Sequence, residues 1–241
     1  MRVEIKQVAK AKLKNPTIIE GFPGVGMLGT LGATYLSETL DMKLIGYFTS
    51  CKFPPIASIH NFSPSFPARI YASEKHNVIV LFSEFVIPAD AVYLLTQEIL
   101  KLAKDYKASA IISLAGIGAE KPDAQIYGIA STPELSKKLE AAGVKLIKEG
   151  ATQGVSGLLI AECAAEGFPA ANIMAQTSQP LDPAVAARLL DCASKVSGVK
   201  VDTSRLRSEG SQIQDKLKKS IDKIKDMHDA YNEMHDNPMY G

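Results

Sequence analysis

The chain has 241 residues, of which 27 are Lys or Arg and 26 are Asp or Glu, so its formal charge is +1. The chain therefore lacks the excess of positive charge that is typical of proteins that bind nucleic acid or an anionic membrane, and neither is expected as a partner. With 46% hydrophobic and 22% charged residues, the composition is that of a globular protein rather than a disordered one.

The three cysteines, Cys51, Cys163 and Cys192, are too widely spaced for a structural zinc motif and odd in number, which favours a reducing compartment over a disulfide framework. The N-terminal stretch is charged throughout, unlike a signal peptide, and no apolar run approaches the length of a membrane span. We therefore expect a cytoplasmic protein.

Apolar, β-rich runs alternate with helical patterns along the first 201 residues. Strands are predicted at 17–20, 44–48, 77–82, 108–114 and 171–176, and helices at 25–40, 88–104, 155–166 and 182–196, with a short one from Thr132 as N-cap. The proline-rich segment 52–71 interrupts this order and predicts loops or antiparallel strands. Strands that alternate with helices predict a three-layer α/β fold with a mixed, mostly parallel central sheet.

The composition changes near residue 202, where charged residues become denser and Gly and Pro rarer. We predict an α/β body at 1–201, followed at 202–241 by an amphipathic helix with a docking tail. Apolar residues recur there every three or four positions, as one long helix over 203–234 requires: Leu206, Ile213, Leu217, Ile221, Ile224, Met227, Tyr231 and Met234.

A glycine motif, Gly24-Val25-Gly26-Met27-Leu28-Gly29, follows the first predicted strand and opens the first helix. That context is typical of dinucleotide binding, but the next strand ends without the carboxylate that would hold a ribose, and no Gly-Lys-Ser/Thr loop is present. We favour a tight structural turn that lets a helix pack closely on the sheet. No cofactor is predicted.

Other candidate chemistry is sparse. His228 and His235 are seven residues apart, which is not a usual zinc spacing, and no metal site is predicted. Four carboxylates near predicted strand ends or helices are not paired by their spacing: Glu84, Glu120, Asp123 and Glu162. No catalytic residue is assigned.

The stretch Glu20–Gly29, followed by a helix and Ile45-Gly46-Tyr47-Phe48, resembles the proteasome assembly chaperone family in its archaeal type. The resemblance covers roughly residues 15 to 200 and implies an α/β fold akin to nucleoside phosphorylases and some hydrolases, used by a chaperone rather than an enzyme. It implies a structural role for the turn residues Gly21, Phe22, Pro23, Gly24, Gly26 and Gly29.

The final residues, Met239-Tyr240-Gly241, resemble the hydrophobic–tyrosine–any-residue motif of proteasome activators and assembly factors. That resemblance implies insertion into pockets between α-subunits of the proteasome core particle. Met239 suits an irregular apolar groove, Tyr240 combines an apolar face with a hydroxyl, and a carboxylate on Gly241 suits a basic pocket.

Together these features predict a non-enzymatic homo-oligomer that docks its C-termini on the proteasome α-ring, as an assembly chaperone or an ATP-independent activator. Two alternatives stay open. One is a hydrolase or phosphorylase-like enzyme with a pocket at the Gly24–Gly29 turn, and the other is a homo-oligomeric scaffold that never meets a proteasome.

Overall fold

A computed structural model of the protein describes residues 2–60 and 62–236. Its strands are β1 (Glu4–Gln7), β2 (Thr17–Gly21), β3 (Lys43–Thr49), β4 (Ser58–His60), β5 (Ser63–Ser65), β6 (Ala68–Ser73), β7 (Val78–Ser83), β8 (Ala110–Gly118), β9 (Ile126–Ala130), β10 (Lys145–Leu146) and β11 (Ala170–Thr177). Its helices are α1 (Leu28–Thr39), α2 (Ala89–Asp105), α3 (Pro133–Ala141), α4 (Gly154–Glu166), α5 (Pro183–Ser197), α6 (Ser204–Ser208) and α7 (Gly210–Asp236), and a 3-10 turn at Val25–Met27 precedes α1.

Nine strands form one mixed sheet in the order β1-β3-β6-β7-β2-β8-β11-β9-β10. The four strands β7, β2, β8 and β11 at its centre are parallel to one another. β3 runs the same way, whereas β1, β6, β9 and β10 run the opposite way. The predicted mixed, mostly parallel sheet is confirmed.

Both faces of the central strands are apolar, because consecutive side chains of a strand point to opposite sides of the sheet. In β2, Ile19 packs in the apolar cluster that contains α1 and α5, whereas Ile18 packs in the cluster that contains α2 and α4. Ile111 and Ile112 of β8 divide between the two clusters in the same way. The result is the predicted three-layer architecture, with the sheet buried between two layers of helices.

Polar side chains cap two of the helices at their predicted starts. The Thr132 hydroxyl accepts a hydrogen bond from the Leu135 amide at the start of α3. The Asp182 carboxylate accepts from the amides of Ala184 (2.9 Å) and Val185 (3.2 Å) at the start of α5. These caps satisfy amides that have no partner within the helix.

The proline-rich segment 52–71, for which loops or antiparallel strands were expected, contains antiparallel strands. β4 and β5 form a separate two-stranded hairpin, and β6 then joins the main sheet antiparallel to β3 and β7. Three strands of the main sheet, β1, β9 and β10, were not predicted.

The C-terminal apolar pattern forms two helices rather than the single helix predicted over 203–234. The break lies at Glu209, which has a non-helical backbone (φ −113°, ψ 14°), and α7 then provides the long helix. Leu206 and Leu217 are buried in the cluster with α1 and α5, and Ile224 is buried in the opposite cluster. The proposed domain boundary at residue 202 stays a prediction.

Candidate functional site

The glycine turn lies at the carboxyl end of β2, in the middle of the sheet. Gly26 (φ 65°) and Met27 (φ 52°) both have left-handed backbone conformations. The Met27 amide donates to the Gly24 carbonyl (3.0 Å), and the Gly26 carbonyl accepts from the Leu181 amide (2.7 Å). The turn is therefore held by its own backbone and by the loop that comes after β11.

Three glycines of this turn allow unusually close contacts within the chain. A Cβ on Gly21 would lie 2.0 Å from the Gly29 carbonyl oxygen, and one on Gly29 would lie 2.2 Å from the Leu114 carbonyl oxygen in β8. A Cβ on Gly26 would lie 2.5 Å from the Thr177 side chain. A Cβ at any of these three positions would overlap a neighbouring atom, so the helix and strand can pack this closely only because the residues are glycines. The contacts favour the structural interpretation of the motif.

Among the remaining residues of the turn, Phe22 faces the protein, Pro23 is half-buried and Gly24 is exposed. Phe22 is buried, and the centre of its ring lies 6.1 Å from that of Phe48. The Thr30 hydroxyl of α1 donates to the Gly21 carbonyl (3.1 Å), while Val25 is exposed. The turn thus joins strand and helix through apolar packing and backbone contacts.

Glu20, the residue before the turn, is a fully buried carboxyl in the central strand. Burial raises its pKa above the ordinary value of 4.5, and the Ser113 and Ser156 hydroxyls and the Phe22 amide act in the opposite direction. Oε2 accepts from the Phe22 amide (3.1 Å), and Oε1 has no hydrogen-bond partner among the described residues. No spacing or motif in the sequence assigns a role to this carboxyl.

A second buried carboxyl, Glu84, joins three parts of the molecule. Its Oε2 accepts from Arg69 Nη2 of β6 (2.7 Å) and from the Ser58 hydroxyl of β4 (2.6 Å). Its Oε1 lies 3.0 Å from His60 Nε2 and accepts from the Ser220 hydroxyl of α7 (3.2 Å). The hairpin, the sheet and the C-terminal helix therefore meet at one carboxylate, which we call the Glu84 junction.

The other carboxylates and histidines considered as candidates do not form a common site among the described residues. Glu162 accepts from the Gln97 amide (3.2 Å), Asp123 accepts from the Tyr127 hydroxyl (2.7 Å), and Glu120 is exposed. His228 is hydrogen-bonded to Asn232, one turn further along α7, and the side chain of His235 lies outside the described part of the structure. Within the described residues no three His, Cys, Asp or Glu side chains form a group that could hold a metal ion.

The three cysteines are unpaired thiols in different environments. Cys51 is exposed, whereas Cys163 in α4 and Cys192 in α5 are buried. Burial raises the pKa of Cys163 to about 12 and that of Cys192 to about 11. The two buried thiols are therefore inert core residues.

Two surface cavities lie away from the turn and from both buried carboxyls. One, of about 550 Å³, lies between α2 and the β1–β3–β6 side of the sheet, and the other, of about 500 Å³, lies beside the C-terminal end of α1. Side chains of both charges line the first cavity, among them Arg2, Glu4, Lys101 and Asp105. Its position does not match the pocket expected for an enzyme at the glycine turn.

The C-terminal helix leaves the body of the protein after Ile224. From Lys225 to Glu233 every side chain is exposed except the half-buried His228, and Met227 and Tyr231 are among the exposed apolar residues. The predicted docking residues Met239, Tyr240 and Gly241 lie outside the described residues. None of the helices in the described part of the chain combines the length and apolar character needed to span a bilayer.

Comparison with known proteins places this fold in a family. The model of the PAC2 family matches residues 18–221, which include the glycine turn, both buried carboxyls and the first part of α7. The chain belongs to the PAC2 family. An uncharacterized protein of Methanocaldococcus jannaschii is 32% identical over 219 residues, covering 89% of this chain and 90% of that protein.

Two solved structures from Pyrococcus furiosus share the fold over most of this chain. PbaA of Pyrococcus furiosus, described as an archaeal homolog of proteasome-assembly chaperone, superposes with a TM-score of 0.81 at 30% identity, over 93% of this chain and 99% of that one. PbaB of the same organism, described as an archaeal proteasome activator, has a TM-score of 0.76 at 19% identity, over 90% of this chain and 98% of that one. The PbaB match is evidence for the fold alone.

Proposed function

We propose that this PAC2 protein is a non-enzymatic, homo-oligomeric factor of the cytoplasm that binds the proteasome core particle. It acts either as an assembly chaperone or as an activator that works without ATP. The observation that carries the proposal is the match to PbaA over nearly the whole chain, because that protein is itself a homolog of proteasome-assembly chaperone.

The geometry of the C-terminal helix supports docking by the chain's end. α7 spans 27 residues, on the order of 40 Å, and the last 12 of them extend beyond Ile224, the last buried side chain described in it. A helix that leaves the body in this way presents its C-terminal end to a partner. The terminal sequence Met239-Tyr240-Gly241 begins three residues after Asp236, the last residue that the structure describes.

The chemistry of these three residues suits pockets between α-subunits of the core particle. We place Met239 in an apolar groove and Tyr240 as the aromatic anchor, with its hydroxyl donating to the pocket rim. The Gly241 carboxylate pairs with a basic side chain of the pocket. Several tails on one homo-oligomer raise the avidity for a ring of such pockets.

The enzyme alternative has less support from the geometry. Its pocket was expected at the Gly24–Gly29 turn, where the glycines are in contact with the chain's own backbone and side chains. Glu20 and Glu84 are both buried and engaged with neighbouring groups. The fold is also shared by PbaA, which is described as an archaeal homolog of proteasome-assembly chaperone.

A binding assay with tail variants tests the proposal. Purified core particle and free α-subunits are each incubated with the intact protein, with Met239→Ala/Tyr240→Ala, and with the matched control Asn237→Ala, which changes the tail outside the motif. We expect the intact protein and the control to bind and the double variant to lose at least tenfold in affinity. Equal binding by all three forms, or no binding by the intact protein, would contradict the proposal.

The same preparations distinguish the two modes of action. An activator accelerates peptide hydrolysis by the mature core particle, whereas an assembly chaperone binds free α-subunits and increases the yield of assembled core.

A further inference from the structure

Three polar side chains lie side by side at the centre of the main sheet, and we call them the polar row: Glu20 of β2, Ser113 of β8 and Asn172 of β11. The strand register pairs Glu20 with Ser113 and Ser113 with Asn172, so all three lie on the face of the sheet that α2 and α4 cover. Their exposed fractions are 0%, 3% and 0%. Polar groups that are buried this deeply need hydrogen-bond partners.

The side chains of the polar row form fewer hydrogen bonds to the described residues than they are able to form. Glu20 Oε1, Asn172 Oδ1 and Asn172 Nδ2 are buried, and none of the three has a partner there. The hydroxyls of Ser113 and of Ser156, in the first turn of α4, are close enough to lower the pKa of the Glu20 carboxyl, but neither is bonded to Oε1. The row therefore contains both an unpaired donor and unpaired acceptors.

The spacing of the polar row suits a molecule of the size of water. Neighbouring strands are about 4.8 Å apart, so the Cα atoms of Glu20 and Asn172 are about 10 Å apart, with Ser113 between them. The serine side chain is shorter than either of its neighbours, and Ser156, which approaches Glu20 from α4, is equally small. The two longer side chains therefore face each other across the serine.

The surroundings of the row favour a small, neutral occupant that both donates and accepts hydrogen bonds. In the strand register Leu81 of β7 borders Glu20, and Ile129 of β9 borders Asn172, so the row ends in an apolar residue on each side. Neither of the two surface cavities is lined by a residue of the row. Water meets these requirements, whereas a metal ion cannot accept a bond from the Asn172 amide nitrogen.

We infer that the polar row binds at least one internal water molecule, which accepts a hydrogen bond from Asn172 Nδ2 and donates one to Glu20 Oε1. Its second hydrogen is donated to the Ser113 hydroxyl, which gives the three bonds that are typical of a buried water. The water then joins β2 to β11 across the strand between them. This inference concerns the α/β body alone, and it requires neither the proteasome nor the C-terminal tail.

Diffraction from crystals of the full chain, at a resolution that shows ordered water, tests the site directly. We expect a density peak within about 3.2 Å of both Glu20 Oε1 and Asn172 Nδ2. A polar row without such a peak in the wild-type protein overturns the inference. Crystals grown with rubidium chloride in place of sodium chloride distinguish water from a cation, because a peak that becomes stronger with rubidium is a metal ion and also overturns it.

Magnetic relaxation dispersion of the water oxygen, which detects long-lived internal water, provides the test in solution. Asn172→Leu keeps the branched shape of the side chain and removes its donor and acceptor, so this variant should lose the signal of at least one internal water. Glu20→Gln keeps an oxygen that accepts the same bond and should retain the water. Asn232→Leu is the matched control, because it makes the same change on the exposed part of α7 and should leave the signal unchanged.

Circular dichroism checks that each variant stays folded. If Asn172→Leu does not fold, the wild-type diffraction still decides whether the row holds a water. A folded Asn172→Leu variant that keeps the peak and the solution signal overturns the inference, because the water then does not depend on Asn172. Loss of the peak in a folded Glu20→Gln variant overturns it as well, because Oε1 would then not be its acceptor.

Discussion

Arg69 and Glu84 form a buried ion pair, with Arg69 Nη2 2.7 Å from Glu84 Oε2 and side chains only 8% and 3% exposed. The pair lies where β6 begins and β7 ends, and the hydroxyls of Ser58 and Ser220 complete the hydrogen bonding of the carboxylate. Burial of a charge is tolerated only when it is paired in this way. The pair therefore fixes the hairpin and α7 to the sheet.

Removing one member of this pair should destabilise the protein strongly. Arg69→Met leaves the Glu84 carboxylate buried without its cation, which typically costs about 3–5 kcal/mol. The free energy of unfolding, measured with urea, should fall by that amount. The double variant Arg69→Met/Glu84→Gln should lose less than the sum of the single changes, because no charge is then left unpaired.

The exposed pair of Lys216 and Glu38, 3.2 Å apart, provides the control. Lys216→Ala should change the free energy of unfolding by less than about 1 kcal/mol, since solvent screens such pairs. If Arg69→Met were no more costly than Lys216→Ala, the Glu84 junction would not be a stabilising element.

The glycine turn should tolerate alanine at Gly24 but not at Gly29. Gly29→Ala places a methyl group 2.2 Å from the Leu114 carbonyl oxygen, so the strand and helix must separate, at a cost of about 1–3 kcal/mol. Gly24→Ala meets nothing within 4 Å, and its φ of −149° is open to any residue, so we expect a change within about 0.5 kcal/mol. Thermal unfolding of the two variants makes the comparison, and equal melting temperatures would refute the packing role of Gly29.

Glu20 should make the protein less stable as the pH rises. Its pKa is raised in the folded state, so the folded protein holds the proton more tightly than the unfolded chain. The stabilising contribution is complete below the unfolded-state pKa near 4.5 and is lost as the pH rises through the folded-state pKa.

Glu20→Gln keeps the shape of the protonated side chain at every pH. The variant should therefore be more stable than the wild type at pH 8, and its free energy of unfolding should decline less between pH 5 and pH 8. Glu149→Gln, a change at an exposed loop carboxylate, should follow the wild-type curve. Parallel curves for wild type and Glu20→Gln would show that the burial of this carboxyl has no energetic consequence.

The sequence predicted those parts of the fold whose side chains repeat regularly. Ile18, Ile19, Ile111 and Ile112 lie in continuous apolar runs, which identify strands that are buried on both faces. β1 has no such run, because it is an edge strand that is paired only with β3 and exposes Glu4, Lys6 and Gln7. Its sequence therefore lacks the apolar run that would have predicted a strand.

The features that the sequence did not predict depend on contacts between distant residues. Arg69 and Glu84 are 15 residues apart and belong to different segments, so no spacing rule pairs them. The break at Glu209 has a similar origin: the chain turns there to pack Gly210 against Pro183 at the start of α5. The apolar spacing of the sequence continues through residue 209, so the sequence does not indicate the break. The break is explained only by the contact between α7 and α5.

The cysteines should differ in reactivity. With a thiol reagent at pH 8, we expect Cys51 to react in the folded protein, because it is exposed. Cys163 and Cys192 are buried with raised pKa values, so they should react only after denaturation. Cys51→Ser should abolish the native reaction, and more than one rapidly reacting thiol per folded chain would show that α4 or α5 opens readily.

Tyr240 should be the dominant residue of the docking tail. If Met239-Tyr240-Gly241 docks in a pocket, the tyrosine is a buried aromatic anchor, and Tyr240→Ala should cost about 2 kcal/mol or more per tail. Tyr240→Phe keeps the ring and removes only the hydroxyl, so it should retain most of the affinity if apolar contact dominates. Deleting Gly241 moves the carboxylate by one residue and should do harm comparable to Tyr240→Ala, while amidation of the C-terminus tests the charge alone. All four forms should keep the wild-type melting temperature and oligomeric mass, because a terminal segment contributes little to the stability of the body. Affinity for the core particle is measured for each form at one fixed salt concentration. An intact protein that binds no better than its Tyr240→Ala variant would mean that the tail is not the docking element.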